Sequence, residues 1–70
     1  MKIEYDEEVD AAYIYLKYPI KDGESKKTKQ LNQNIIIDLD AKGKLLGVEI
    51  LDASRILNKK LILEAKQIPA

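Results

Sequence analysis

Cysteine and histidine are both absent from this chain. Without cysteine there is no disulfide and no thiolate metal ligand, and without histidine zinc loses its other favoured donor. The same two gaps remove every Ser-His and Cys-His nucleophile arrangement. No Gly-rich phosphate-binding motif is present, and Gly43 and Gly47 read as a turn residue and a strand residue. These absences argue against an enzyme and call for no cofactor. The longest apolar runs, Ile35 to Ile37 and Leu61 to Leu63, are far too short to span a bilayer. The start, Met1-Lys2-Ile3-Glu4-Tyr5-Asp6, has no apolar core of the kind a signal peptide needs. A cysteine-free chain is compatible with a reducing cytosol. The expectation is a cytoplasmic protein that does not enter membranes. Repeats, low-complexity stretches and long linkers are missing too, so residues 1–70 read as one domain.

A chain of 70 residues buries only ~60% of its unfolded surface, so its stability margin is thin. With disulfides and thiolate or imidazole metal sites excluded, good packing or self-association must supply the support. The formal net charge is zero, but the charge is blocked. Residues 1–10 carry one Lys against five acids, net −4, and residues 17–30 carry five Lys against two acids, net +3. Residues 31–52 give −2 and residues 53–70 give +3. Such blocks fit a partner of complementary sign, a second copy included, or simply the solvated outside of a small domain.

Ile3 and Tyr5 alternate with Lys2, Glu4 and Asp6, which predicts a short strand with one apolar face. Asp6 to Asp10 is an acidic connector. Ala11 to Lys17 reads as the next strand, with Tyr13 and Tyr15 on one face and Ala12, Ile14 and Leu16 on the other. Pro19 and Gly23 mark a loop. Ser25 to Gln30 is a weaker segment, dominated by lysines as edge strands often are. Asn32-Gln33-Asn34 predicts a turn.

Asn34 to Asp40 and Leu45 to Leu51 form the clearest element, a hairpin turning at Asp40-Ala41-Lys42-Gly43. Two registers compete. Pairing Asp40 with Lys44 mixes polar and apolar residues on both faces. Pairing Asp40 with Leu45 sets Leu39 against Leu46, Ile37 against Val48 and Ile35 against Ile50, all on one face. Register follows the buried face, so the second is preferred. Gly43 supplies the positive φ of the connection.

Asp52 and Ser54 are candidate N-caps for a helix beginning near Ala53. Leu57, Leu61, Ala65 and Ile68 recur at helical spacing, Asn58 can split the helix in two, and Pro69 ends it. The alternative is a further strand over Lys60 to Leu63. The predicted fold is therefore α+β: a four-stranded antiparallel β-meander followed by a C-terminal helix of one or two short segments. The helix covers the apolar sheet face and leaves the tyrosine face open.

Two blocks resemble a small prokaryotic family, domain-of-unknown-function family 2283. One is Tyr5-Asp6 followed by Asp10-Ala11-Ala12-Tyr13-Ile14. The other is Ile37-Asp38-Leu39-Asp40, then Gly43, then Gly47-Val48-Glu49-Ile50-Leu51-Asp52-Ala53-Ser54. Together they cover most of residues 3–57. Ala12 stands where the family pattern has a larger apolar residue, and Ser25 to Lys29 is basic rather than acidic. The resemblance brings no established activity. It implies an antitoxin or partner-binding role for those members that neighbour toxin genes.

Three candidate sites remain. Tyr13 and Tyr15, on a sheet face without an evident cover, are interface candidates because tyrosine is enriched at interfaces. They point to a homodimer or a small protein partner. Lys26, Lys27 and Lys29, with Lys17 and Lys21 nearby, could contact the phosphates of a nucleic acid while Tyr13, Tyr15 and Tyr18 stack on bases. The zero net charge weighs against that second reading. Asp38 and Asp40 lie two apart on one face, ~7 Å from each other, a spacing a hard cation could use. The plainer reading is an aspartate that hydrogen-bonds the turn backbone. Asp6, Glu7, Glu8 and Asp10 lack the central Gly and closing Glu of a calcium loop.

Overall fold

The computed structural model describes residues 2–67. Five strands, β1 (Lys2–Asp6), β2 (Ala11–Tyr15), β3 (Lys27–Gln30), β4 (Ile35–Leu39) and β5 (Leu45–Leu51), form one antiparallel sheet. Two helices follow, α1 (Ala53–Ile56) and α2 (Lys59–Gln67). The α+β class, the antiparallel sheet and the split C-terminal helix agree with the sequence reading.

The strand count and the path of the chain do not. The lysine-rich segment makes a true strand, so the sheet has five strands rather than four. The spatial order is β1-β2-β5-β4-β3, so the chain is not one continuous meander. After β2 it crosses to the far edge and returns through β3 and β4 to β5. The physical reason lies in the faces. Pairing β2 with β5 sets Ala12 beside Ile50 and Ile14 beside Val48, which makes one apolar face continuous. All four residues of β3 are exposed. A strand so polar is stable at an edge and not in the centre.

The β4–β5 hairpin uses both competing registers. Ile35↔Ile50, Ile36↔Glu49 and Ile37↔Val48 pair in the expected register. Beyond Asp38 the register shifts by one, and Leu39 lies opposite Leu45 rather than Leu46. At the loop end the Asp40 amide donates to the Lys44 carbonyl at 2.9 Å, and Gly43 sits at φ 80. Leu46 is the extra residue of this bulge. Its carbonyl accepts from the amides of both Leu16 and Lys17, at 2.9 and 3.0 Å. Leu46 is buried to 1% exposure and Leu45 stays at 52%, as the apolar-face reading of the hairpin placed them. Burying one leucine side chain contributes about 1.5–3 kcal/mol, so Leu46 anchors this end of β5.

Ala12, Ile50, Ala53 and Ile62 form the buried core, with Tyr5, Ile14, Ile35, Val48 and Leu57 packed against it. α1 lies on β2 and β5, and α2 lies on β1 and α1. Among the described residues neither helix packs on β3 or β4, so the helices cover only part of the apolar face. Lys60 to Leu63 is helix and not strand. Ile62 and Ala65, three apart, point inward, and Asn58 caps the helix by accepting from the Lys60 amide at 2.8 Å. The expected contributions of Ile68 and Pro69 lie outside the described residues.

Candidate functional site

The sheet face opposite the helices carries the candidate site. Alternation along the paired strands puts Lys2 and Glu4 of β1, Tyr13 and Tyr15 of β2, Gly47 and Glu49 of β5, Ile36 and Asp38 of β4, and Thr28 of β3 on this face. A chain of contacts crosses it. Thr28 donates its hydroxyl to Asp38 Oδ1 at 2.9 Å, and Tyr13 donates its hydroxyl to Asp38 Oδ2 at 2.7 Å. To reach Asp38, which is two strands away, the Tyr13 ring lies flat across Gly47. A Cβ at position 47 would stand 2.3 Å from Tyr13 Oη and 2.4 Å from Cε1. Glycine is required here by close approach, not by backbone angles. Burial first, and then the Asp38 carboxylate, pushes the Tyr13 phenol well above its usual range.

The aromatic line continues outward. Tyr15 packs tilted on Tyr13 with centroids 4.8 Å apart, and Tyr18 meets Tyr15 edge-on at 5.1 Å. The Lys2 ammonium sits 4.3 Å from the Tyr18 ring centroid and donates to its hydroxyl at 3.0 Å. Tyr18 itself is 57% exposed. Tyr13 is thus held by the sheet, whereas the outer edge of the aromatic line is open to solvent.

The other sheet face holds a second polar centre, missed in the sequence reading. Asp10, at φ 53, accepts the Tyr5 hydroxyl at 2.7 Å, the Ser54 hydroxyl at 2.7 Å and the Ser54 amide at 2.9 Å. Its carbonyl accepts the Ala53 amide at 2.9 Å. Asp10 therefore caps α1 from 44 residues upstream. Asp52 occupies the N-cap position, as expected, and its carbonyl accepts the Arg55 and Ile56 amides at 3.0 and 3.1 Å, but the side-chain cap comes from Asp10. Asp52 sits at φ 59 and makes no side-chain cap bond, and it pairs with Arg55 at 3.1 Å. Ser54 spends its hydroxyl on Asp10. The bonds from Ser54 and Tyr5 hold the Asp10 carboxyl below the usual carboxylate range. The reciprocal bond to Asp10 is the main reason the Tyr5 phenol is pushed up to about 12. This centre ties β1, the β1–β2 turn and α1 together.

The remaining candidates are placed as follows. Asp38 is engaged by Tyr13 and Thr28. Asp40 accepts the Lys42 and Lys44 amides, both at 2.9 Å, as the turn-capping reading expected. Those amide bonds, the one from Lys44 foremost, lower its carboxyl. Among the described residues no group of three or more metal-ligating side chains could hold a cation. Lys26 precedes β3 and is exposed. Lys27 lies opposite Leu39 and Lys29 opposite Ile37, on the helix-bearing face. The tyrosines lie on the other face, so the sheet does not bring the basic pair and the aromatic line together. Lys17 pairs with Glu24 in the loop.

Residues 2–54 match the family described as "Protein of unknown function (DUF2283)". The chain belongs to the DUF2283 family. Tyr5, Asp10 and Ser54, and likewise Tyr13, Asp38 and Gly47, all fall inside the matched DUF2283 span. The two blocks that suggested the family therefore meet in space twice, once on each face of the sheet. The chain is also 44% identical, over 59 residues, to an uncharacterised protein of Methanocaldococcus jannaschii, MJ0789. The match covers 83% of this chain and 46% of that relative, so the DUF2283 unit spans about half of the longer protein. No solved structure matches the chain. Among the described residues no helix is long and apolar enough to cross a membrane.

Proposed function

We propose that this DUF2283 domain is a non-catalytic protein–protein interaction module that binds through its open tyrosine face. One observation carries the reading: both helices lie on one side of the sheet, and Tyr13, Tyr15 and Tyr18 line the other without a covering element among the described residues. Tyrosine offers large contact area, a polar tip and little rotamer entropy to lose on binding. Tyr13 is committed to Asp38, so Tyr15 and Tyr18 are the contact residues. An antitoxin-like component of a two-protein complex is one form this role takes, and a homodimer is the other.

The experiment is light scattering of the purified domain together with affinity capture from its native host. The domain elutes as a dimer or captures a stoichiometric protein partner. The double substitution Tyr15→Ser, Tyr18→Ser abolishes either complex while the circular dichroism spectrum is retained. A monodisperse monomer that captures nothing refutes the proposal, as does a complex indifferent to both substitutions.

A further inference from the structure

The topology places the two oppositely charged blocks of the sequence at the two free edges of the sheet. β1 is one edge and β3 the other. Residues 1–10 carry one Lys and five acids, whereas Lys26, Lys27 and Lys29 cluster within and beside β3. None of these three lysines takes part in an ion pair among the described residues. A cleft of about 650 Å³ runs along β1, lined by every residue from Lys2 to Val9. Each edge strand leaves one row of backbone amides and carbonyls without a strand partner. Lysines on such an edge repel a like edge and accept only a strand with acids at matching spacing.

We propose that the occupant of the β1 edge is β3 of a second copy of this chain, added as an antiparallel strand. Charge and face select the arrangement. Lys27 and Lys29 project on the helix-bearing face, and Glu4 and Asp6 project on the tyrosine face. They meet when the second copy is turned over, which also makes the strands antiparallel. The register that sets Lys27 against Asp6 then sets Lys29 against Glu4, since both pairs are two residues apart. The uncharged Thr28 faces Tyr5 and Gln30 faces Ile3 on the other side. A closed pair through β1 alone brings two acidic blocks together, and one through β3 brings lysine against lysine. The complementary contact is therefore heterologous, and it repeats head to tail. This edge contact extends the interaction reading above but does not use Tyr15 or Tyr18, so the two stand or fall separately.

The test is sedimentation velocity of the full chain over a range of protein and salt concentrations. The wild-type sedimentation coefficient rises with protein concentration at low salt, and the rise is lost at high salt. The variant Lys27→Glu, Lys29→Glu loses the rise, and so does Glu4→Lys, Asp6→Lys. An equimolar mixture of the two variants regains it, because each then offers the other a complementary edge. Tyr15→Ser, Tyr18→Ser removes any pairing through the tyrosine face but keeps the salt-sensitive rise, so the variants are compared in that background. The wild-type salt series needs no substitution, and the single pair Lys29→Glu with Glu4→Lys repeats the mixing test without touching Asp6, which accepts the Glu8 amide. A wild-type monomer at every concentration overturns the proposal. So, in the Tyr15→Ser, Tyr18→Ser background, does association that stops at two copies, that persists in either charge variant alone, or that fails to return on mixing folded variants.

Discussion

Replacing Gly47 with alanine adds a single methyl group, and the structure dictates its cost. The new Cβ would lie 2.3 Å from Tyr13 Oη and 2.5 Å from Cζ, distances that real contacts do not reach. The backbone on either side is held in β5, paired to both β2 and β4, so the ring must move. Moving it breaks the 2.7 Å bond from Tyr13 to Asp38. A hydrogen bond to a charged group contributes about 1.5–3 kcal/mol. Against that, alanine in a strand is favoured over glycine by about 0.5–1 kcal/mol. The net expectation is a destabilisation of about 1–2 kcal/mol, a fall in Tm of very roughly 4–16 °C for a domain of this size. The decisive assay is a double-mutant cycle in urea with Tyr13→Val, which keeps a strand-favouring residue but removes the ring. In that background Gly47→Ala becomes neutral or stabilising by about 0.5–1 kcal/mol, since only the backbone preference remains. Equal cost in both backgrounds, or no cost in the wild type, refutes the account of Gly47 as the floor beneath Tyr13.

Two further predictions concern the bulge and the Asp10 centre. Leu46→Ala destabilises by about 2–5 kcal/mol whereas Leu45→Ala stays within about 0.5 kcal/mol, because Leu46 is buried and Leu45 is exposed; urea melts of the two variants check it. The Asp10 carboxyl is lowered from 3.8 in the folded state, so its contribution is fully present above the unfolded value and is lost as pH falls through the folded one. Thermal melts therefore decline below about pH 4, and Asp10→Asn flattens part of that decline while lowering Tm at neutral pH. The Tyr5 phenol runs the opposite way: raised from 10.0 to about 12, it favours folding up to the unfolded value and ceases to do so as pH rises through that window. Its ionisation, followed by near-ultraviolet absorbance, moves down toward 10.0 in Asp10→Asn.

Much of the sheet was legible because alternation is a local signal. Ile35, Ile37, Val48 and Ile50 declared their common face within one hairpin, and their pairing was found as expected. The lysines of β3 announced an edge, although the segment was not counted as a full strand. Asn58 announced the split between the helices. The candidate site was only half legible. Tyr13 and Tyr15 were singled out as an interface and Asp38 as a carboxylate, but not the bond that joins Tyr13 to Asp38. The signal for the real arrangement was Gly47, a glycine inside a strand otherwise dominated by Leu, Val and Ile, which marks close approach of another group. Asp10 carried no such signal. It sits in an acidic connector like its neighbours, and its partners are 5 residues back and 44 residues on.

By itself the sequence determined which segments are strands and helices, which residues share a face, and that chemistry needing cysteine or histidine is excluded. Periodicity and composition are properties of neighbours along the chain, and they survive without knowledge of the fold. Only the tertiary structure decided that β2 inserts beside β5, that the hairpin register shifts at Leu39, that Tyr13 crosses Gly47 to Asp38, and that the acidic and basic blocks stand at opposite edges. Each of these depends on which distant segment lies alongside, and that is settled by the combined burial and hydrogen bonding of the whole sheet rather than by any stretch of it.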